Sequence, residues 1–353
     1  MLLIIFARLN GGLTMNIREL RNMFPALSRT VYGKQLVYFD NAATAQRSQS
    51  VIDKWTQLTI GANANIHRAV HKLAVDATDE YESTRDAVKE YINAAAREEI
   101  VFTSGTTGSI NLVAFSFGET FVNKGDEIIV SESEHHSNIV PWQMLCQRKG
   151  AVLRVLHVDE DGHLNLEELK SLLNPKTRIV AVTQISNVLG ILNPVKEIVS
   201  ICHSAGCPVL IDGAQGMVHE GVDVQDVDCD FYAFSGHKLY AATGTGVLYG
   251  KRKWLDQMVP YQGGGEMIAT VRFSGTTYAP LPEKFEAGTQ NINAIPTLEP
   301  AIEMLKLMKD KELLNAQEAV SQYLLHALTS NPRVRLYGVP RGTETKIPLF
   351  SFS

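Results

Sequence analysis

Short β-forming runs that are apolar at successive positions, rather than at every second one, constrain this chain most. Val180-Ala181-Val182 and Val209-Leu210-Ile211 are of this kind. A strand without a polar face must be covered on both sides, which is the condition of a buried parallel sheet. Further runs read as strands: Glu127 to Ser131, Ala151 to Leu156, Arg178 to Thr183, Pro208 to Ile211, Phe231 to Phe234 and Gly246 to Tyr249. Helical stretches at 137–149, 165–173 and 194–205 separate most of them, the last ending at Gly206 as its stop signal. Alternation of this sort predicts an α/β fold with a mostly parallel sheet covered by helices. In such sheets ligands bind beyond the carboxyl ends of the strands, so the residues just after each run carry the functional signal. From about residue 295 the texture turns helical, over Leu298 to Met308 and Leu313 to Leu328. Val334 to Tyr337 and Ile347 to Ser353 follow, and the chain stops inside a strand-like run with no partner after it.

Composition narrows the function classes. Hydrophobic residues make up 45% and charged residues 20% of 353, the values of a folded globular chain. No internal repeat or low-complexity tract appears. With 33 Lys and Arg against 38 Asp and Glu, the net charge of −5 offers no basic excess for nucleic acid. The four cysteines, Cys146, Cys202, Cys207 and Cys229, make neither a disulfide framework nor a CxxC metal pair, which fits a reducing cytoplasm. The apolar run Leu2 to Ala7 falls far short of the roughly 18 residues of a membrane span. Met15 opens a more ordinary start, so residues 1–14 read as a misassigned start or an extension.

The strongest chemical signal is a pair. Asp212-Gly213-Ala214-Gln215 directly follows one strand, and Ser235-Gly236-His237-Lys238 directly follows another. A surface ion pair flanked by turn glycines would account for an arbitrary Asp and Lys. At two strand ends, the same residues can face one cleft. There burial lowers the pKa of a lysine that must attack a carbonyl unprotonated, and an aspartate can sit opposite a cationic ring nitrogen. Ser104-Gly105-Thr106-Thr107-Gly108 precedes a helical stretch, Ser109 to Gly118. It suits either a phosphate at a helix N-terminus or an ordinary N-cap. The His135-His136 pair suggests a metal, but no cluster of ligand spacing completes it, so no metal is expected.

These motifs resemble the pyridoxal-phosphate (PLP) site of fold type I, aminotransferase class V enzymes, specifically the group II cysteine desulfurases and selenocysteine lyases. The resemblance extends through Asp40-Asn41-Ala42-Ala43-Thr44, Asn65-Ile66-His67-Arg68, Glu134-His135-His136-Ser137-Asn138, Ser186-Asn187-Val188-Leu189-Gly190, Gly263-Gly264-Gly265-Glu266-Met267 and Phe285-Glu286-Ala287-Gly288-Thr289, over about residues 16–350. It implies that Lys238 bonds PLP, Asp212 pairs with the pyridine nitrogen, Gln215 meets the phenolic oxygen and His135 stacks on the ring and shuttles protons. Thr106, Thr107, Ser235 and His237 would hold the phosphate, joined by Thr289 from the neighbouring subunit of a homodimer. Asn187, His67, Arg68 and Ala43 would lie near the amino-acid substrate, although His67 and Arg68 equally suit solvated loop positions. The chain departs from the family pattern at Gly108, where a carboxylate is usual, and at Ala241-Ala242, where Gly-Pro is usual.

The resemblance further implies a division into residues 15–36, an N-terminal segment packing with a small domain; 37–290, the PLP-binding large domain; and 291–353, the opening of an α/β small domain, here incomplete. The implied activity is conversion of L-cysteine to L-alanine, with sulfur passed to an acceptor protein for iron–sulfur cluster assembly in the cytoplasm. Selenocysteine lyase, another class V enzyme, or a catalytically silent PLP-binding scaffold are the alternatives. The family's nucleophilic cysteine and its carboxylate-clamping arginine lie on a C-terminal loop with no counterpart here. The four cysteines present read as buried structural thiols.

Overall fold

A computed structural model describes residues 17–68, 70–309, 311–338 and 346–353; the expectation for residues 1–14 lies outside them. Seven strands form the central sheet: β1 Ile100–Thr103, β2 Glu127–Ser131, β3 Val152–Leu156, β4 Thr177–Thr183, β5 Val209–Asp212, β6 Phe231–Ser235 and β7 Gly246–Gly250. Their order is β1-β7-β6-β5-β4-β2-β3. β6, β5, β4, β2 and β3 run parallel, whereas β7 is antiparallel to both β6 and β1. β1 went unread in the sequence because it has four residues directly behind the charged Arg97-Glu98-Glu99, too few to show a period.

The unalternating strands are explained by two cores. Val180, Val182, Val209, Ile211 and Phe234 point into one hydrophobic cluster, and Ile179, Ala181, Leu210, Phe231 and Ala233 into the other. Helix Lys72–Tyr91 and helix Val195–Ser204 cover the first face; helix Thr106–Phe121 and helix Val140–Lys149 cover the second. β3, at the sheet edge, is buried only at Leu156. Gly206 follows its helix with φ of 71°, the left-handed conformation a stop signal requires. No helix among the described residues is long and apolar enough to cross a membrane.

Register places the functional strand ends side by side. Thr183 of β4 pairs with Asp212 of β5, Asp212 pairs with Ala233 of β6, and Ser235 of β6 pairs with Gly246 of β7. The terminal run does find a strand partner, upstream in the chain: Ser351–Phe352 pairs antiparallel with Leu336–Tyr337. It also docks on the loop after β4, where the Ile347 amide donates to the Gly190 carbonyl (2.9 Å).

A buried ion pair ties the turn at 286–289 to the body of the fold. Arg85 and Glu286 are 0% and 4% exposed, joined by two bonds of 2.8 and 3.0 Å. Glu286 also accepts the Phe102 amide of β1 (2.7 Å), and Arg85 also binds Glu82. Glu286→Ala leaves a buried, half-compensated guanidinium and is expected to destabilise the protein by about 3–5 kcal/mol in urea unfolding. A loss of about 1 kcal/mol or less, the level of a surface pair, would contradict this.

Candidate active site

Beyond the ends of β4, β5 and β6 lies a cleft of about 440 Å³, lined by Asp40, Ala42, Ala43, Thr106, Thr107, His135, Ser137, Thr183, Ile185, Asn187, Asp212, Ala214, Gln215, Ser235, His237 and Lys238. Lys238 enters it from the short helical turn Gly236–Lys238 immediately after β6. Lys238 has no hydrogen-bond or ion-pair partner among the described residues. Burial holds its amine below the ordinary lysine range, with the Asp212 carboxylate pulling the other way.

Asp212 is 3% exposed at the last position of β5, where Oδ1 accepts the Ala214 amide (2.9 Å). Burial raises its pKa, while the Ala214 amide, Lys238 and His135 lower it. The tight turn after it requires glycine, because a Cβ on Gly213 would lie 2.1 Å from the Tyr232 ring. Gln215 Nε2 donates to the Ala42 carbonyl (2.8 Å), and the Ala45 amide donates to the His237 carbonyl (3.1 Å). These bonds bring the Asp40 to Thr44 loop over the cleft.

Helix Thr106–Phe121 begins three residues earlier than the sequence suggested, so neither threonine is its N-cap; Gly105 is, with φ of 143°. The chain is pressed against β7 there, where a Cβ on Gly246 would stand 2.3 Å from the Gly105 Cα. The Ser235 hydroxyl receives the Thr106 amide (2.8 Å) and contacts the Thr106 hydroxyl (2.7 Å). Thr106, Thr107, Ser235 and His237 line the same cleft beside the first turn of that helix, which suits a phosphate.

His135 sits where the chain leaves β2. The Ser137 amide donates to its Nδ1 (3.1 Å), so that nitrogen is an acceptor and the ring proton belongs on Nε2. Burial lowers its pKa; Asp212 raises it, and Lys238 and His136 lower it. The adjacent Glu134 does not line the cleft; burial pushes its carboxyl up to about 8.

Two expected residues lie elsewhere in this chain: His67 bonds Glu82 (3.2 Å) and Arg68 pairs with Glu266. Thr289, expected at the neighbouring subunit's phosphate, lines a separate cavity of about 280 Å³ with Ser104, Gly108 and Tyr261. Conversely, Thr183 and Ile185 line the cleft without having been singled out. Thr183 was legible as the last residue of a predicted strand, but its register opposite Asp212 was not. All four cysteines are buried, none lines the cleft, and burial raises each thiol's pKa, that of Cys202 to about 12. No metal-binding group occurs among the described residues.

The aminotransferase class V model matches residues 37–353. The chain belongs to that family. Among class V proteins, a cysteine desulfurase of Pectobacterium atrosepticum is 49% identical over 91% of this chain and 79% of its own length. One from Escherichia coli O127:H6 is 47% identical over 93% and 81%. Among solved class V structures, the E. coli cysteine desulfurase CsdA, in an S-sulfonic acid form, superposes with a TM-score of 0.83 at 38% identity, over 96% of this chain and 82% of that one. The apo cysteine desulfurase of Thermococcus onnurineus NA1 gives 0.87 at 33% identity, over 95% and 82%.

The electrostatics of the class V cleft generate a prediction for the protein without cofactor. Asp212 is the group that raises the Lys238 pKa. Asp212→Asn should therefore move the midpoint of Lys238 acylation to lower pH, read by mass spectrometry across a pH series. An unchanged or higher midpoint would show that the two groups are not coupled.

Proposed function

We propose that this chain binds PLP covalently through Lys238 and uses it to release sulfur from L-cysteine. The observation that carries the reading is the placement of Lys238 and Asp212 on one cleft that Thr106 and Thr107, in the first turn of a helix, also line. The residues fit the group: an amine without a partner, a buried carboxylate for the ring nitrogen, His135 for the ring face, Gln215 for the phenolic oxygen and Thr106, Thr107, Ser235 and His237 for the phosphate. Bound PLP supplies an electron sink conjugated to the substrate's α-carbon.

The chain's own residues hold charge and protons. Asp212 would hold the ring nitrogen and favour a proton on it. Burial lowers the Lys238 pKa, which makes its amine easier to deprotonate and so able to serve as a base once it has given up its proton. His135 offers Nε2–H, its Nδ1 being committed to the Ser137 amide. Asn187 and Ala43 line the same cleft and suit a small amino acid.

The net reaction is L-cysteine plus a thiol giving L-alanine plus the persulfide of that thiol; the Cβ–S bond breaks, an S–S bond forms, and the carbon takes the proton. Because the four cysteines are buried away from the cleft, the accepting thiolate comes from outside the described residues, and the sulfur passes from it to an acceptor protein that feeds iron–sulfur cluster assembly in the cytoplasm. The working unit is a homodimer, with Thr289 contributed to the neighbour's phosphate.

Protein loaded with PLP is expected to turn L-cysteine over to alanine when an external thiol is supplied. Replacing Cys146, Cys202, Cys207 or Cys229 by serine should leave that rate unchanged. A persulfide on one of these four, with turnover lost in the matching variant, would contradict the external acceptor; no visible absorption on adding PLP to the folded protein would contradict the cofactor.

A further inference from the structure

Glu134 lies next to the cleft without entering it, and its carboxyl group joins three elements. The backbone ladder between β2 and β4 ends at Val130 and Ala181. Past that point the strands part, and Glu134 fills the seam. Its Oε1 accepts the Ser131 hydroxyl (2.5 Å) and the Thr183 amide (2.8 Å), and its Oε2 accepts Asn138 Nδ2 (2.7 Å). The Asn138 amide cannot turn over freely, because the fully buried Trp142 donates Nε1–H to its Oδ1 (2.9 Å). The Asn138 backbone amide in turn donates to the His135 carbonyl (2.8 Å).

We propose that Glu134 is a positioning residue, the staple that sets the plane of His135 and the spacing of β2 from β4 at the cleft floor. The proposal rests on the PLP reading above, in which His135 lies on the cofactor ring. Its logic is donor and acceptor arithmetic. Each carboxyl oxygen faces an N–H that has no other role available, the Thr183 amide on one side and the oriented Asn138 amide on the other. Glutamine has the same shape but only one acceptor, so whichever way it turns, two donors meet and a buried N–H loses its partner. Reversing the polarity of the neighbour repairs this. With aspartate in place of Asn138, one carboxylate oxygen accepts the new glutamine's amide and the other accepts the Trp142 indole N–H.

The experiment compares wild type, Glu134→Gln and the Glu134→Gln/Asn138→Asp double variant, each titrated with PLP. The readouts are PLP affinity, the visible circular dichroism of the bound cofactor and the thermal midpoint of the cofactor-free protein. Glu134→Gln should weaken PLP binding about tenfold and alter the dichroism, and the double variant should restore both to within about threefold of wild type. Should Glu134→Gln not fold, Ser131→Ala, which removes one donor to Oε1, is expected to alter the dichroism with an unchanged thermal midpoint; unaltered dichroism in it overturns the proposal. A folded Glu134→Gln with unchanged dichroism and affinity, whatever its thermal midpoint, overturns the proposal while the PLP reading stands. Failure of the wild type to bind PLP overturns both.

Discussion

One carboxylate and one amine buried at the ends of adjacent parallel strands govern this structure. Among the described residues, neither Asp212 nor Lys238 makes an ion pair with a neighbouring side chain, and each pays desolvation without full compensation. Such an arrangement persists only where the surrounding fold over-determines it. Here the two-sided core does so: β4, β5 and β6 have apolar residues on both faces, and their register brings Thr183, Asp212 and Ala233 into line. The same burial that makes the pair unfavourable for folding lowers the amine's pKa and so favours its nucleophilic, unprotonated form.

Loops that arrive from distant parts of the chain complete the cleft. The Asp40 to Thr44 loop is bonded to the Gln215 and His237 turns, and the Thr106 helix terminus to Ser235. Each contact is a backbone amide or carbonyl meeting a strand-end turn, so the cleft's shape depends on the sheet's edges ending where they do. The Arg85–Glu286 pair extends this logic outward, fixing a turn whose Thr289 faces away from the chain's own cleft.

Much of this was legible in the sequence. Unalternating runs indicated strands buried on both faces, and Asp212, Gln215, Ser235 and Lys238 stood directly behind such runs, so their shared cleft followed from strand polarity. What escaped was tertiary. β1 was too short to show a period, and the antiparallel insertion of β7 leaves no mark on its own residues. Thr183 matters through register, and Glu134 through a seam between β2 and β4, neighbours in the sheet that are not consecutive in the chain. His67 and Arg68 were grouped with the site by motif, yet a motif carries no information about which cleft a loop faces.

The central claim is that Lys238 is the amine the fold prepares for PLP. Borohydride reduction of the PLP-loaded protein, followed by peptide mapping, tests it directly. The account predicts one reduced phosphopyridoxyl group, on the peptide that carries Lys238. Lys346 is the informative competitor, since burial lowers its amine too, to about 8, beside the loop after β4 but outside the cleft. Label on Lys346, or spread over several lysines with Lys238 unmodified, would contradict the account.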